Sequence, residues 1–113
     1  MAIEYKAIQR NARISPRKVR LSADLIRGQR VEDALTQLEF DNRRSSSMLR
    51  KVLQSAVANA QERGGVDPME LKVTKTWVDE GFTMKRFHPV GRGRVHGIKR
   101  RCSHITVIVA QED

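Results

Sequence analysis

The chain has 113 residues, enough for one domain with a modest core, and carries 22 Lys and Arg against 13 Asp and Glu for a net charge of +9. That balance points to a polyanionic partner. The single cysteine, Cys102, excludes an intramolecular disulfide framework, and no apolar run approaches the ~20 residues that span a bilayer. The opening MAIEYKAIQR lacks the long apolar core of a secretory signal, so the expected setting is the reducing cytoplasm, with no membrane partner.

In chain order, Glu4 to Arg13 places Tyr5, Ala7 and Ile8 among charges with no helix breaker, which predicts a strand with one wet face. In ISPRKVRLSADLIRG, Ser15 suits an N-cap, Pro16 suits the first helical position and Gly28 suits the stop, giving a first helix from about Pro16 to Arg27. Val31, Ala34, Leu35 and Leu38 fall at i, i+3, i+4 and i+7, with Glu32 and Asp33 at the dipole-favoured end, for a short second helix. After Asp41-Asn42, read as a cap, Leu49, Val52, Leu53, Ala56, Val57 and Ala60 define one face of a long third helix that closes at Gly64-Gly65.

The period then changes to two. Leu71 and Val73 alternate with Lys72, Thr74 and Thr76, and Trp77 is expected to return to the apolar side. Ile105, Val107 and Val109 alternate with His104, Thr106 and Ile108 in a last strand expected to pair with the previous one. The sum is an α+β fold: a small three-stranded antiparallel sheet with three helices, read as a single domain over residues 1–113.

Between these last strands lies KRFHPVGRGRVHGIKRRCSH, Lys85 to His104, with seven Lys and Arg and no carboxylate. Such a run repels itself, so a partner must supply the negative charge. A structureless connection of this length is rare in a compact domain, so residues 79–103 are expected to form a long protruding basic β-hairpin turning at Pro89 to Gly93. The eleven residues from Asp79 to Pro89 would reach ~35 Å at ~3.3 Å each. A solvated, disordered loop is the simpler reading, and the alternating strands on either side count against it.

Arginine forks pair with phosphate oxygens, and Gly91, Gly93 and Gly97 permit close backbone approach, so structured nucleic acid is the expected partner. A second cluster, Arg13, Arg17, Lys18 and Arg20, surrounds a helix N-terminus, where free N–H groups also favour an anion. Other chemistries find no support. The glycine spacing of GRGRVHG misses the dinucleotide fingerprint by one residue, and His88, His96, Cys102 and His104 lack paired metal-ligand spacings. No nucleophile, base and orienting group assemble, so neither an enzyme, a metal nor a cofactor is expected. Ser45, Ser46 and Ser47 read as ordinary helix-face serines, and an architectural DNA-binding protein with Pro89 as a minor-groove wedge is the alternative to RNA binding.

ARISPRKVRLSADLIRG, VEDAL, SAVANA, WVDEGFTMKR and the terminal GR…KR-x-SHITVIV, in this order, resemble the bacterial form of the large-subunit ribosomal protein family numbered twenty-two. The resemblance implies a non-enzymatic structural constituent of the large subunit that binds 23S-type ribosomal RNA, aids assembly and sits among neighbouring large-subunit proteins. It also implies that the hairpin lines the tunnel of the nascent peptide. Carried over by position, the RNA contacts would be Lys85, Arg86, Arg92, Arg94, Lys99, Arg100 and Arg101, added to the helix-one cluster. The tunnel-lining tip would be His88, Pro89, Val90, Gly91, Arg92, Gly93 and Arg94. Val90-Gly91 stands where the family commonly has Arg-Ala, Phe82 where it often has proline, and Cys102 where threonine is common.

Overall fold

The computed structural model describes residues 3–90 and 94–111, and for residues 84–90 and 94–100 the backbone alone. Among the described residues the order is β1 (Glu4–Ala12), α1 (Pro16–Ile26), α2 (Val31–Phe40), α3 (Arg44–Gly64), a short 3₁₀ turn (Pro68–Glu70), β2 (Leu71–Val90) and β3 (Arg94–Gln111). The sheet is antiparallel throughout in the order β1-β3-β2, so the last strand lies in the middle. The helices pack on one face of it. Val19, Ile26, Leu38, Leu49, Leu53, Leu71, Val73, Ile105, Val107 and Val109 are buried between the two layers.

The helix boundaries follow from local chemistry, though not always from the expected group. Pro16 starts α1 after Ser15, whose side chain makes no cap; its carbonyl instead accepts from Lys18 and Val19. Gly28, at φ +83°, supplies the left-handed residue just beyond the α1 C-cap. The N-cap of α3 is Arg43, not Asp41 or Asn42. Asp41 instead accepts from the Arg43 N–H at 3.1 Å and from the Ser46 hydroxyl at 2.7 Å.

Ser46 belongs to a buried set joining α1 to α3, in which the Ser22 hydroxyl meets those of Ser45 at 2.7 Å and Ser46 at 3.0 Å. Ser45 and Ser46 are therefore interior groups and not solvent-facing ones. The Ser46 hydroxyl, then the Arg43 N–H, hold the Asp41 carboxyl below its ordinary pKa. A carboxyl depressed in the folded state stabilises the fold above its unfolded pKa and stops doing so as pH falls through the folded one. Asp41→Asn should thus narrow the gap in denaturant midpoint between pH 7 and acid; an unchanged gap would rule out this contribution.

At the other end of α3, Gly65 is left-handed at φ +59°, and Val66 donates to the Ala60 carbonyl at 3.4 Å. Gly64 is where the buried Tyr5 of β1 packs: a Cβ there would stand 2.7 Å from Tyr5 Cζ and nearer still to its hydroxyl. Gly64→Ala should therefore destabilise by about 1–3 kcal/mol in urea titration, against the gain of about 1 kcal/mol that helix propensity alone would give.

One expectation about β2 is corrected. Between Val73 and Lys75 the ladder slips by one residue, Val73 facing Val109 and Lys75 facing Ile108. The extra residue, Thr74, inverts the faces beyond it. Thr76 and Val78 are consequently buried, while Trp77 turns to the open side and is 40% exposed.

Beyond Gly81 the two strands leave the helices behind and remain paired as far as Val90 with Arg94. The arm gives extents of 64 × 25 × 18 Å and a radius of gyration of 17.1 Å, against ~13 Å for a compact chain of this length.

Candidate nucleic-acid interface

The segments that carry the two cationic clusters, far apart in sequence, are joined at the root of the arm. Ala12 at the end of β1 is opposite Ser103 of β3, and the Ser103 hydroxyl donates to the Ile14 carbonyl at 2.6 Å. The connection carrying Arg13 is thereby tied to the strand carrying Arg101. The β1 ladder slips by one residue between Gln9 and Ala12, with Asn11 at φ +58° and its N–H donating to His104 Nδ1 at 3.1 Å. A second slip, between Glu80 and Thr83, faces it across β3, where Gly81 approaches the Cys102 carbonyl: a Cβ on it would stand 3.2 Å from that oxygen. Bulges twist and bend strands, so the pair sets the departure of the arm from the body.

Arg13, Arg17 and Lys18 are exposed around the start of α1, and Arg101 is exposed at the root of the arm. Arg27 pairs with Asp24, Arg43 with Asp41 and Lys75 with Glu4. None of these pairs engages Arg13, Arg17, Lys18 or Arg101. Arg20 is held differently: its Nε and Nη2 donate to the Val78 carbonyl at 3.2 and 2.9 Å. One turn-pair further along α1, Arg27 donates to the Thr76 carbonyl at 2.9 Å.

These two arginines explain how the outer edge of β2 is protected. Its backbone at Val73 is already engaged by residues 28–30, through Gly28 N–H to Val73 O and Val73 N–H to Gln29 O. The guanidinium groups continue that cover over Thr76 and Val78. A role of this kind, which blunts an edge that would otherwise pair with another strand, was not part of the sequence expectation. The spacing of seven between Arg20 and Arg27, two helical turns on one face, is the signal that carries it.

On the arm itself, backbone pairing sets Lys85 opposite Lys99, Met84 opposite Arg100, Arg86 opposite Ile98, and Thr83 opposite Arg101. The side chains of Lys85, Arg86, Arg94, Lys99 and Arg100 lie outside the described residues, as do Gly91, Arg92 and Gly93 entirely. Of the expected tip, His88, Pro89 and Val90 are on β2 and Arg94 opens β3. Two lysines directly opposite in a ladder disfavour it in water.

Among the described residues, no three His, Cys, Asp or Glu side chains stand close enough together to hold a metal ion, and no helix is long and apolar enough to cross a membrane. Compared with known proteins, residues 7–110 match a family model described as ribosomal protein L22p/L17e.

Proposed function

Since the chain belongs to the ribosomal protein L22p/L17e family, structural and non-catalytic proteins of the large ribosomal subunit, we propose that it holds large-subunit ribosomal RNA on one continuous basic surface. That surface would run from Arg13, Arg17, Lys18 and Arg20 through Arg101, Arg100 and Lys99 to Lys85, Arg86, Arg92 and Arg94. The observation that supports it most is the Ser103 tether, which joins the segment carrying Arg13 to the strand carrying Arg101 at the root of the arm. Arg20 would meet phosphate through the Nη1 group that Val78 leaves free.

The arm then serves as a probe too thin to hold a core of its own and ordered by its RNA. With family membership as the ground, we place its tip, His88 to Arg94, along the wall of the nascent-peptide tunnel, and the body among neighbouring large-subunit proteins. Assembly of the subunit would draw on the same contacts, since a single chain that binds RNA at both body and arm draws distant segments together.

Binding of the full chain to large-subunit RNA, measured from 50 to 200 mM salt, tests the reading. A log–log slope of about −0.7 to −0.9 for each phosphate met predicts a fall of about 10³–10⁵ in affinity for six to ten contacts. A flat salt response, or equal competition by duplex DNA, would contradict it.

A further inference from the structure

The face of the sheet turned away from the helices has a composition that neither the core nor the arm explains. Across its middle, Ile8 of β1, Thr106 of β3 and Trp77 of β2 form one row, and Lys6, Ile108 and Lys75 form the next. Thr106 and Ile108 are covered by their neighbours, but Ile8 and Trp77 are each 40% exposed. Arg10, two residues beyond Ile8 on the same strand, is exposed as well. Lys75 pairs here with Glu4 at 3.6 Å, with both side chains about half exposed. Such a pair is worth little in water and opens readily.

Apolar groups beside Lys6 and Lys75, with Asp79 and Glu4 as carboxylates on the same face, do not make a usual protein-binding patch, because the cores of protein interfaces are depleted in lysine. An aromatic side chain standing on a sheet, with cations beside it, is how single-stranded RNA is commonly held: the base stacks on the ring and the phosphates meet the cations. We propose that this open face takes an unpaired nucleotide of the RNA, its base stacked on Trp77 and its flanking phosphates at Lys75 and Lys6. This contact rests on the RNA-binding reading above but lies on a different surface from the arm. The Thr74 bulge creates it, since without the slip Trp77 would point into the core.

Trp77 is the chain's one tryptophan, so its emission reports this site alone. Titrating the full chain with large-subunit RNA should quench that emission and shield the indole from acrylamide, while filter retention records binding independently. Trp77→Ala should lower affinity about 5- to 150-fold with no change in salt slope, and Trp77→Phe should restore part of the loss. Lys75→Ala should instead make the slope shallower by about one contact. Retention of RNA with unaltered emission and acrylamide access overturns the proposal and leaves the RNA-binding reading standing. Absence of retention overturns both. A blue shift that needs added large-subunit proteins assigns the face to a protein and overturns it too.

Discussion

Excising residues 82–100 and closing the gap with a short turn should make the salt dependence of RNA binding shallower by about five to six in log–log slope. The segment removes Lys85, Arg86, Arg92, Arg94, Lys99 and Arg100; six contacts at about 0.7–0.9 each give four to five, and the rest comes from Arg101, which loses its place at the root. Affinity at low salt should fall by orders of magnitude, since the counterions released by those phosphates drive most of the binding. The body should still fold, because among the described residues the buried cluster draws on β1, the helices, Leu71 to Val78 and Ile105 to Val109. Unchanged affinity and slope in a folded variant would remove the arm from the interface.

The double substitution Arg20→Ala with Arg27→Ala should lower stability by about 2–4 kcal/mol, because each removes a charge-assisted bond to a β2 edge carbonyl. The two single variants separate edge protection from RNA binding. Arg27→Ala should destabilise and leave the salt slope alone, whereas Arg20→Ala should destabilise and also make the slope shallower by about one contact. With Val73 still covered by residues 28–30, the exposed edge of the double variant is short, and concentration-dependent association should appear only well above micromolar levels. Equal stability of the double variant and the parent in urea titration would show that water replaces both guanidinium groups without cost.

The helices were legible because a 3.6-residue period survives small errors of boundary. Val31, Ala34 and Leu38, and Leu49, Val52, Leu53, Ala56 and Ala60, are buried where their spacing places them. Strand phase is less forgiving, since one inserted residue inverts every side chain after it. Thr74 has no glycine or proline beside it to announce the slip, so strict alternation from Leu71 puts Trp77 on the wrong face. The central position of β3 has a sequence signal in Ile105 to Ala110, apolar except for Thr106, which suits a strand covered on both sides.

The composition of the arm and its two cationic clusters could be read directly from charge. The joining of the segments that carry them could not. It depends on the Ser103 hydroxyl reaching the Ile14 carbonyl, residues 89 apart, and on bulges at Asn11 and Gly81 whose positions only the paired ladder reveals. Arg20 and Arg27 were hidden for a related reason: an arginine on a basic helix face looks the same whether it meets phosphate or a backbone carbonyl.

Lysine modification followed by mass spectrometry, on the full chain free and bound to large-subunit RNA, tests the continuous basic surface most directly. Lys18 of α1 and Lys85 and Lys99 of the arm should lose reactivity together on binding, while the exposed Lys51 of α3 keeps its own. Reactivity at Lys18, Lys85 and Lys99 that is the same in the free and the bound chain would contradict the account.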